Sequence, residues 1–595
     1  MSSINLIIDG QKVEIEKGMT ILEAAKKINV NIPTLCHHDD LCVAGNCRIC
    51  VVEIEGRNRL EASCATPAEE GMVIKTNSPK VRRSRKTITE LLLSEHAEEC
   101  TKCYKNGNCE LQDLTSEYFN ENFRFLNLVP DKNYTIDKSS FALQYDPSKC
   151  VRCQRCVRTC AEIQGVNAIS AAHKGKDMRI STFMEMNFAE VVCTNCGQCI
   201  THCPTGALTE HRYFEEIWEA IENPQKHVVV NTAPSVRVAL GEPFGLEPGT
   251  IVTGQMVAAL RKLGFDSILD TNFGADLTII EEGHELLDRL KRALVDNDKS
   301  VKLPMITSCS PGWIKFIEHM FPNSLEHLST CKSPQQMFGA MAKTYYAEKR
   351  GLDPKNIVSV AIMPCTAKKY EANRPEMKSS GYQDVDAGLT TRELALMIKQ
   401  ARIDFTKLEE EKFDSLMGES SGAADVFGAT GGVMEAALRT VYELVTGREI
   451  PFDGLNITPV RGLDGIKEAS IKFENCLPDF KFLEGVEAKC AVAHGLKNAR
   501  TIMNQVAEGK SPYHFIEVMA CPGGCIGGGG QPIPTTNEIR KKRIAAIYRE
   551  DAGKPIRKSH ANPEIIGIYK DYLEKPLGHK SHKLLHTHYT KRNRF

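Results

Sequence analysis

The 595-residue chain lacks the features that commit a protein to a membrane or to nucleic acid. It has no run of about 18 apolar residues, so no bilayer-spanning helix is expected. Its first residues, MSSINLIIDGQKVEIEKG, show neither the basic nor the apolar region of a secretory signal, which predicts a soluble, cytoplasmic protein. It also lacks net charge: 75 lysines and arginines face 76 acidic residues, so neither nucleic acid nor an anionic membrane is expected as a partner. The glycine-rich stretches contain no G-x-G-x-x-G opening a strand–helix–strand unit and no Walker lysine, and no flavin or NAD site is visible.

What the chain does have is 23 cysteines. In a reducing compartment, cysteines grouped at short spacings suit metal ligands better than disulfides. Most of them fall in four groups: residues 36 to 64, 100 to 109, 150 to 203, and the separated positions 309, 365, 521 and 525. The first three can be held by small modules, but ligands scattered over some 200 residues need a large domain to converge. The expected organisation is therefore multidomain, α+β and α/β: modules at 1–79, 80–120 and 140–211, a large α/β domain at 212–545, and a helical tail at 546–595. INLIIDGQKVEIEKG alternates around an Asp-Gly turn and TILEAAKKINV follows with helical spacing, a β-grasp-like opening. In the large domain, strand-like HVVVNTAPSV, VKLPMITS and IVSVAIMPC alternate with helical TGQMVAALRKLG and TTRELALMIKQAR, which predicts largely parallel strands with chemistry in the loops at their ends.

Cys36, Cys47, Cys50 and Cys64 follow C-x10-C-x2-C-x13-C, with Gly45 allowing the chain to fold back. Plant-type [2Fe–2S] modules use four cysteines in this way with different spacing, while a zinc site usually shows two C-x2-C pairs, and only one is present. His96, Cys100, Cys103 and Cys109 read H-x3-C-x2-C-x5-C. One helical turn separates His96 from Cys100, which favours a [4Fe–4S] cluster held by one histidine and three cysteines, with zinc as the rival. Cys150, Cys153, Cys156 and Cys160, then Cys193, Cys196, Cys199 and Cys203, both read C-x2-C-x2-C-x3-C. In such two-cluster ferredoxins the fourth cysteine of each run serves the other cube, so Cys203 should join the first trio and Cys160 the second. Pro204 closes the second run, whereas Ala161 stands at the equivalent place after the first.

TSCSPGW (307–313), MPCTAKKYE (363–371) and EVMACPGGCIGGGGQP (517–532) together resemble the three signatures of [FeFe]-hydrogenases. The N-terminal modules match the order in the larger, clostridial-type members, and APSVR, FGADLTI, KSPQQ and FGATGGVMEAALR fit as well. The resemblance implies an H-cluster, a [4Fe–4S] cube joined to a diiron unit with CO, CN and azadithiolate. It implies Cys365, Cys521 and Cys525 as ligands, Cys525 bridging to the diiron unit, with Lys368, Ser235 and Pro234 holding the cyanides and Gln335 in the same pocket. An ammonium can hydrogen-bond an anionic cyanide, and Met363 and Met519 can exclude water. Proton supply would run, by similarity, through Glu282, Ser329, Glu285 and Arg289. The spacing of Glu281, Glu282 and Glu285 alone describes an ordinary solvated helix face.

Most relatives carry two adjacent cysteines before the proline of the first signature, one relaying protons and one ligating the cube; this chain has Cys309 and Ser310. Alignment on Pro311 places Cys309 at the relay and Ser310 at the ligand. A serine alkoxide is a harder and more basic ligand than thiolate, so the expectation favours Cys309 as ligand, with Ser310 or water carrying protons. Cys309 as relay with Ser310 on iron is the alternative. Cys42, Cys331, Cys476 and Cys490 have no motif partners and are expected to be packing residues. The tail HKSHKLLHTHYTKRNRF is expected to be a solvated or domain-closing segment rather than a metal site.

Four accessory sites leading to one buried centre make an electron wire. Ferredoxin-type centres near about −400 mV match the proton/hydrogen couple, roughly −410 mV at pH 7. The leading expectation is a cytoplasmic iron-only hydrogenase, 2 H⁺ + 2 e⁻ ⇌ H₂, with one [2Fe–2S], three accessory [4Fe–4S] clusters and an H-cluster. Its expected partners are ferredoxin or flavin-containing NAD(P)-binding hydrogenase subunits, and maturation proteins. The single-cysteine first signature and the module order resemble the catalytic subunit of NAD(P)-linked, bifurcating hydrogenases. Two alternatives stand: an electron-transfer subunit, since residues 1 to about 211 also resemble the iron–sulfur subunit of respiratory Complex I, and a hydrogen-sensing or assembly protein of the hydrogenase-like kind.

Overall fold

The computed structural model describes residues 3–118, 124–125 and 134–593. The expected module boundary at residue 120 and the last two residues of the tail lie outside them. Among the described residues no helix is long and apolar enough to cross a membrane.

The Asp9–Gly10 pair takes positive φ at both positions, 49° and 84°, which joins strands Ser3–Ile8 and Gln11–Glu16 as a tight hairpin. Helix Ile21–Lys27 starts with a capping box between Thr20 and Glu23. The sheet has five strands, and Ser3–Ile8 runs parallel to Val73–Lys75 at its centre. Leu6, Ile8, Leu22, Val52 and Ile74 fill the core of this β-grasp unit. Helix Pro79–Leu93, capped by Ser78, anchors the next module: its buried Arg85 donates to the carbonyls of Ile49 and Val51 at 3.0 and 2.9 Å. In the third module, strands Leu143–Tyr145 and Leu208–Glu210 pair antiparallel, and a hairpin, Ile169–Ala172 with Arg179–Thr182, fills the interval between the two cysteine runs. Each run enters its short helix through a left-handed residue, Gln154 (φ 59°) in the first and Gly197 (φ 71°) in the second.

The large domain holds two four-stranded sheets. One is wholly parallel, in the order Ser267–Asp270, His227–Thr232, Ile357–Met363, Ala387–Thr390. The other runs Met305–Ile306, Phe515–Met519, Glu487–His494, Ile466–Lys472, with only the last strand antiparallel. Helices Thr253–Leu263 and Thr391–Gln400 form where the apolar spacing predicted them. Helix Thr271–Leu294, capped by Asp270, is buried along most of its length between helices Pro334–Met341 and Gly432–Thr446.

Helix Asn537–Gly553 runs unbroken through the expected boundary at 545/546, so the chain does not divide there. Its Arg543 is buried, gripping Glu242 at 2.6 and 2.7 Å and the Ile526 carbonyl at 2.8 Å. Beyond it the chain closes the domain rather than trailing into solvent. Helix His579–Leu585 packs on helix Pro334–Met341, the Thr587 amide bonds the Thr330 carbonyl at 2.8 Å, and Arg592 reaches Glu318 at 2.7 Å.

Candidate active site

Four strand ends meet at one place, as the C-terminal edges of parallel strands do at functional clefts. Thr232 leads into Ala233 and Pro234, Met363 into Pro364 and Cys365, Ile306 into Cys309 and Ser310, and Met519 into Ala520 and Cys521. Their loops line one cavity. The wall is largely apolar, with Met363, Met519, Phe427 and Ala275, which keeps bulk water out.

Cys365, Cys521 and Cys525 all face this cavity, and Cys521 lies in the electrostatic field of the other two. Burial pushes the Cys525 thiol up to about 12 and holds the Cys521 thiol well above its usual range. Thiolates in so apolar a place need a metal centre to neutralise them, so the donor set fits an iron–sulfur cube and suits little else. The glycines make the room: a Cβ at Gly528 would stand 2.2 Å from the Pro364 carbonyl, and Gly524, at φ 89°, would place one 2.6 Å from the Thr430 amide.

Polar groups also reach this cavity. Lys368 Nζ donates to the Cys309 carbonyl at 3.0 Å and pairs with Glu371 at 2.9 Å. Gln335 lines the wall and donates to the Lys368 carbonyl at 3.2 Å, while its own side-chain oxygen is buried with no partner among the described residues. Pro234 is on the wall; Ser235 lies just behind it, its hydroxyl buried and equally without a partner. Unsatisfied donors and acceptors in an apolar pocket mark the place of a polar ligand, and a diatomic-ligated iron unit fits these atoms.

Cys309 and Ser310 both reach the cavity but point to different neighbours. The charges around Cys309 are Glu282, Lys368 and Cys525, and burial with Glu282 holds its thiol well above the usual range. The Ser310 hydroxyl accepts from the Ala520 amide at 3.2 Å, beside Cys521. Gly312, two residues on, packs against Ala520 and Cys196.

Behind Cys309, the three glutamates expected on a solvated face are buried, at 0%, 1% and 8% exposure for Glu281, Glu282 and Glu285. Both Glu282 oxygens lack a hydrogen-bond partner among the described residues, and burial with the charge of Glu285 raises its carboxyl to about 8. Ser329 donates to Glu285 at 2.7 Å, Glu285 accepts from Arg289 at 2.7 Å, and Arg289 extends to the Leu328 carbonyl at 2.7 Å.

Several of the accessory cysteines also come together. Cys36 accepts from the amides of Asn46 and Cys47 at 3.3 and 3.4 Å, and the sulfurs of Cys50 and Cys64 are 3.3 Å apart. His96 is mostly buried with Nδ1 unpartnered among the described residues, and burial holds it neutral, its value down to about 4, as a ligand requires. Cys103 and Cys109 are electrostatic neighbours, while Cys100, in the turn Cys100–Lys102, remains exposed. Cys203 lies in the field of Cys150, Cys153 and Cys156, and Cys160 lines a second cavity with Cys193, Cys196 and Cys199. Cys36, Cys109 and Cys153 share one buried cluster, so the first two modules meet at the third. Cys196 reaches the wall of the main cavity, and a Cβ at Gly529 would meet its carbonyl at 2.2 Å.

Cys331, Cys476 and Cys490 are buried, as packing residues are. Cys42 is not: it is exposed, and its thiol donates to Glu162 at 2.7 Å, an acceptor 120 residues away that no local pattern reveals. Thr271 and Phe427 on the cavity wall were not singled out as site residues; Phe427 sits within FGATGG, but Thr271 carries no local signal.

The comparisons with known proteins agree along the chain. Residues 226–529 match the iron only hydrogenase large subunit, C-terminal domain, and 537–592 the iron hydrogenase small subunit. Residues 1–79 match a 2Fe-2S iron-sulfur cluster binding domain, 85–122 the NADH-ubiquinone oxidoreductase-G iron-sulfur binding region, and 142–209 a ferredoxin-like domain of NADH-quinone oxidoreductase subunit 3. The chain is 51% identical to NADP-reducing hydrogenase subunit HndD of Solidesulfovibrio fructosivorans, over all of both chains. It is 41% identical to iron hydrogenase 1 of Clostridium pasteurianum, over 98% of this chain and 100% of that one. A solved variant of [FeFe]-hydrogenase HydA1 from Chlamydomonas reinhardtii superposes with a TM-score of 0.57 and 44% identity, covering 64% of this chain and 99% of that one. With the converging cysteines, the apolar cavity and the buried acid chain behind it, these matches make the chain a member of the iron-only, or [FeFe], hydrogenases, with [2Fe–2S] and [4Fe–4S] domains ahead of its H-cluster domain.

Proposed function

We propose that this hydrogenase is the cytoplasmic catalytic subunit of a multi-subunit enzyme, exchanging electrons between H₂ and NAD(P) or ferredoxin through flavin-containing partner subunits. The observation that carries the reading is the unbroken succession of cysteine groups. Two modules meet at Cys153, the third leads through Cys196, and Cys196 adjoins Cys521 at the catalytic cavity. One [2Fe–2S] and three accessory [4Fe–4S] clusters along this line would give two entry points and one exit. The full-length identity to an NADP-reducing hydrogenase subunit supports the pyridine-nucleotide link.

When bound, the H-cluster supplies the redox equivalents and the iron site at which H₂ is made or split. The chain's own residues do the rest. Cys365, Cys521 and Cys525 hold the cube, Lys368 presents an ammonium to the anionic ligands, and Pro234, Ser235, Gln335, Met363 and Met519 shape and dry the pocket around them. Our assignment for the first signature is the alternative set out from the sequence: Cys309 would relay protons and Ser310 would be the fourth ligand of the cube. It is supported by Cys309 facing Glu282 and Lys368, and by Ser310 sitting beside Ala520 and Cys521. From Cys309 the proton path runs through Glu282, Ser329 and Glu285 to Arg289, and a carboxyl with a value of about 8 can both take and give a proton near neutrality.

The test is to load the purified chain with its diiron unit and assay it alone and with candidate flavin subunits. The proposal expects H₂ turnover with an artificial viologen donor from the chain alone, and NAD(P) reduction only when flavin subunits are added. Reduction of NAD(P) by the chain alone would overturn the subunit assignment.

A further inference from the structure

The proton path described above leaves unused a cluster of titratable groups on its outer side. Glu285, Cys331 and His586 are all buried, and a ligand atom of each lies within 4.8 Å of the others. The Cys331 thiol approaches Glu285 Oε2 at 3.7 Å. His586 comes from the C-terminal strap, 301 positions along the chain from Glu285, so the strap delivers an imidazole to the acid chain at the point where Ser329 also bonds it.

His586 is held firmly. One ring nitrogen is 2.7 Å from the Thr330 hydroxyl and the other 3.2 Å from Glu281 Oε2. Glu281 is wholly buried, yet it accepts from Tyr569 at 2.5 Å, the Leu577 amide at 2.9 Å, and Ser581. Despite that burial, the hydrogen bonds from His586, Ser581, Tyr569 and the Leu577 amide hold its carboxyl below the usual range. A fixed negative charge therefore stands against the imidazole. On the solvent side, the exposed ring of His582 stacks on His586 with centroids 4.1 Å apart and 21° between planes. Exposed side chains change rotamer within nanoseconds, far faster than turnover, so His582 can cover and uncover His586 without limiting the rate. The groups facing His586 are Glu281 and Glu285 from the long helix, Cys331 from the segment beneath, Tyr569 across Glu281, and His582 on its own helix.

We propose that His586 and His582 form a second proton port, through which Glu285 exchanges protons with solvent independently of Arg289. In each passage a proton moves from solvent to an imidazole nitrogen and on to the Glu285 carboxylate, or the reverse, with no other bond made or broken. The inference rests on the relay reading of Glu282, Ser329 and Glu285. Structural pinning by the strap is a different role: it would need His586 as a spacer, but not an exposed histidine stacked over it.

The test uses the full-length, cluster-loaded enzyme with His586→Gln, His582→Ala and, as a control on the exposed surface of the same helix, His579→Ala. H₂ evolution is followed against pH, with and without added imidazole, alongside the melting temperature and the carboxyl infrared bands in H₂O and D₂O. The port predicts that His586→Gln loses about tenfold in rate on the alkaline side, where proton supply limits, and regains it with imidazole. Melting and the Glu282 band stay at parent values, His582→Ala shows a smaller loss of the same kind, and His579→Ala shows none. A parent-like pH profile in His586→Gln overturns the port, as does a loss that imidazole does not restore. Glu285→Gln separates the two readings: if it too turns over like the parent, the relay itself fails, whereas loss there without loss in His586→Gln rejects the port alone.

Discussion

The Ala520 amide donates to the Ser310 hydroxyl oxygen across 3.2 Å, which fixes the serine beside Cys521 and turns Cys309, its neighbour in sequence, toward Glu282. Two adjacent residues on one cavity wall thus meet different neighbours.

On the proposed assignment, Cys309→Ala removes the thiol relay and none of the proposed cube ligands, Ser310, Cys365, Cys521 and Cys525. Turnover should fall by about 10²–10⁴, the usual worth of a positioned acid–base group. The CO and CN infrared bands should persist, since assembly does not depend on this thiol.

Glu282→Gln should abolish most turnover and also change how stability depends on pH. The folded carboxyl titrates at about 8, against an ordinary 4.5. A raised folded value means that the stability carried by the neutral buried acid is fully present below pH 4.5 and is lost as pH rises toward 8. Glutamine is neutral throughout, so the variant should melt close to the parent near pH 4.5 and above it near pH 8, by an amount on the order of a few kcal/mol. Parallel melting curves for the two proteins across this range would contradict the burial argument.

Lys368→Met deletes the ammonium that bonds the Cys309 carbonyl and Glu371. Among the described residues Glu371 then keeps the side-chain bonds from Ser333 and Gln335, at 2.8 and 3.4 Å, and the cavity loses a buried ammonium. The expected outcome is a protein with the cube but weak or missing CO and CN bands after maturation, read by infrared spectroscopy.

His96→Cys keeps a four-ligand set in the second module but replaces a neutral donor with an anionic one. Histidine ligation raises a cluster's potential relative to cysteine, so the substitution should lower that cluster's midpoint in a redox titration. Iron content and the signals of the other clusters should not change.

Much of this molecule was legible in its sequence because the decisive patterns are local. The Asp9–Gly10 turn, the two C-x2-C-x2-C-x3-C runs and the cysteines at strand ends all depend on neighbours a few residues away. The glutamates were harder to read: three carboxylates at helical spacing look solvated, and Glu281 is buried only because Tyr569, Ser581 and His586, roughly 300 residues on, supply its donors. The tail's histidines were visible as a composition, but the role of His586 depends on the strap pairing with Thr330 and Cys331, a contact no spacing encodes. The choice between Cys309 and Ser310 followed ligand chemistry to one answer and geometry to the other, because the neighbours that separate them, Ala520 and Glu282, belong to different elements.

The most direct test of the account is electron paramagnetic resonance of the reduced chain carrying its [4Fe–4S] clusters but no diiron unit, comparing parent, Ser310→Ala and Cys309→Ala. The account predicts that Ser310→Ala alters the signal or midpoint potential of the cube in the catalytic domain, while Cys309→Ala leaves both as in the parent. A cube disturbed by Cys309→Ala and indifferent to Ser310→Ala would contradict it and return the cysteine to the iron.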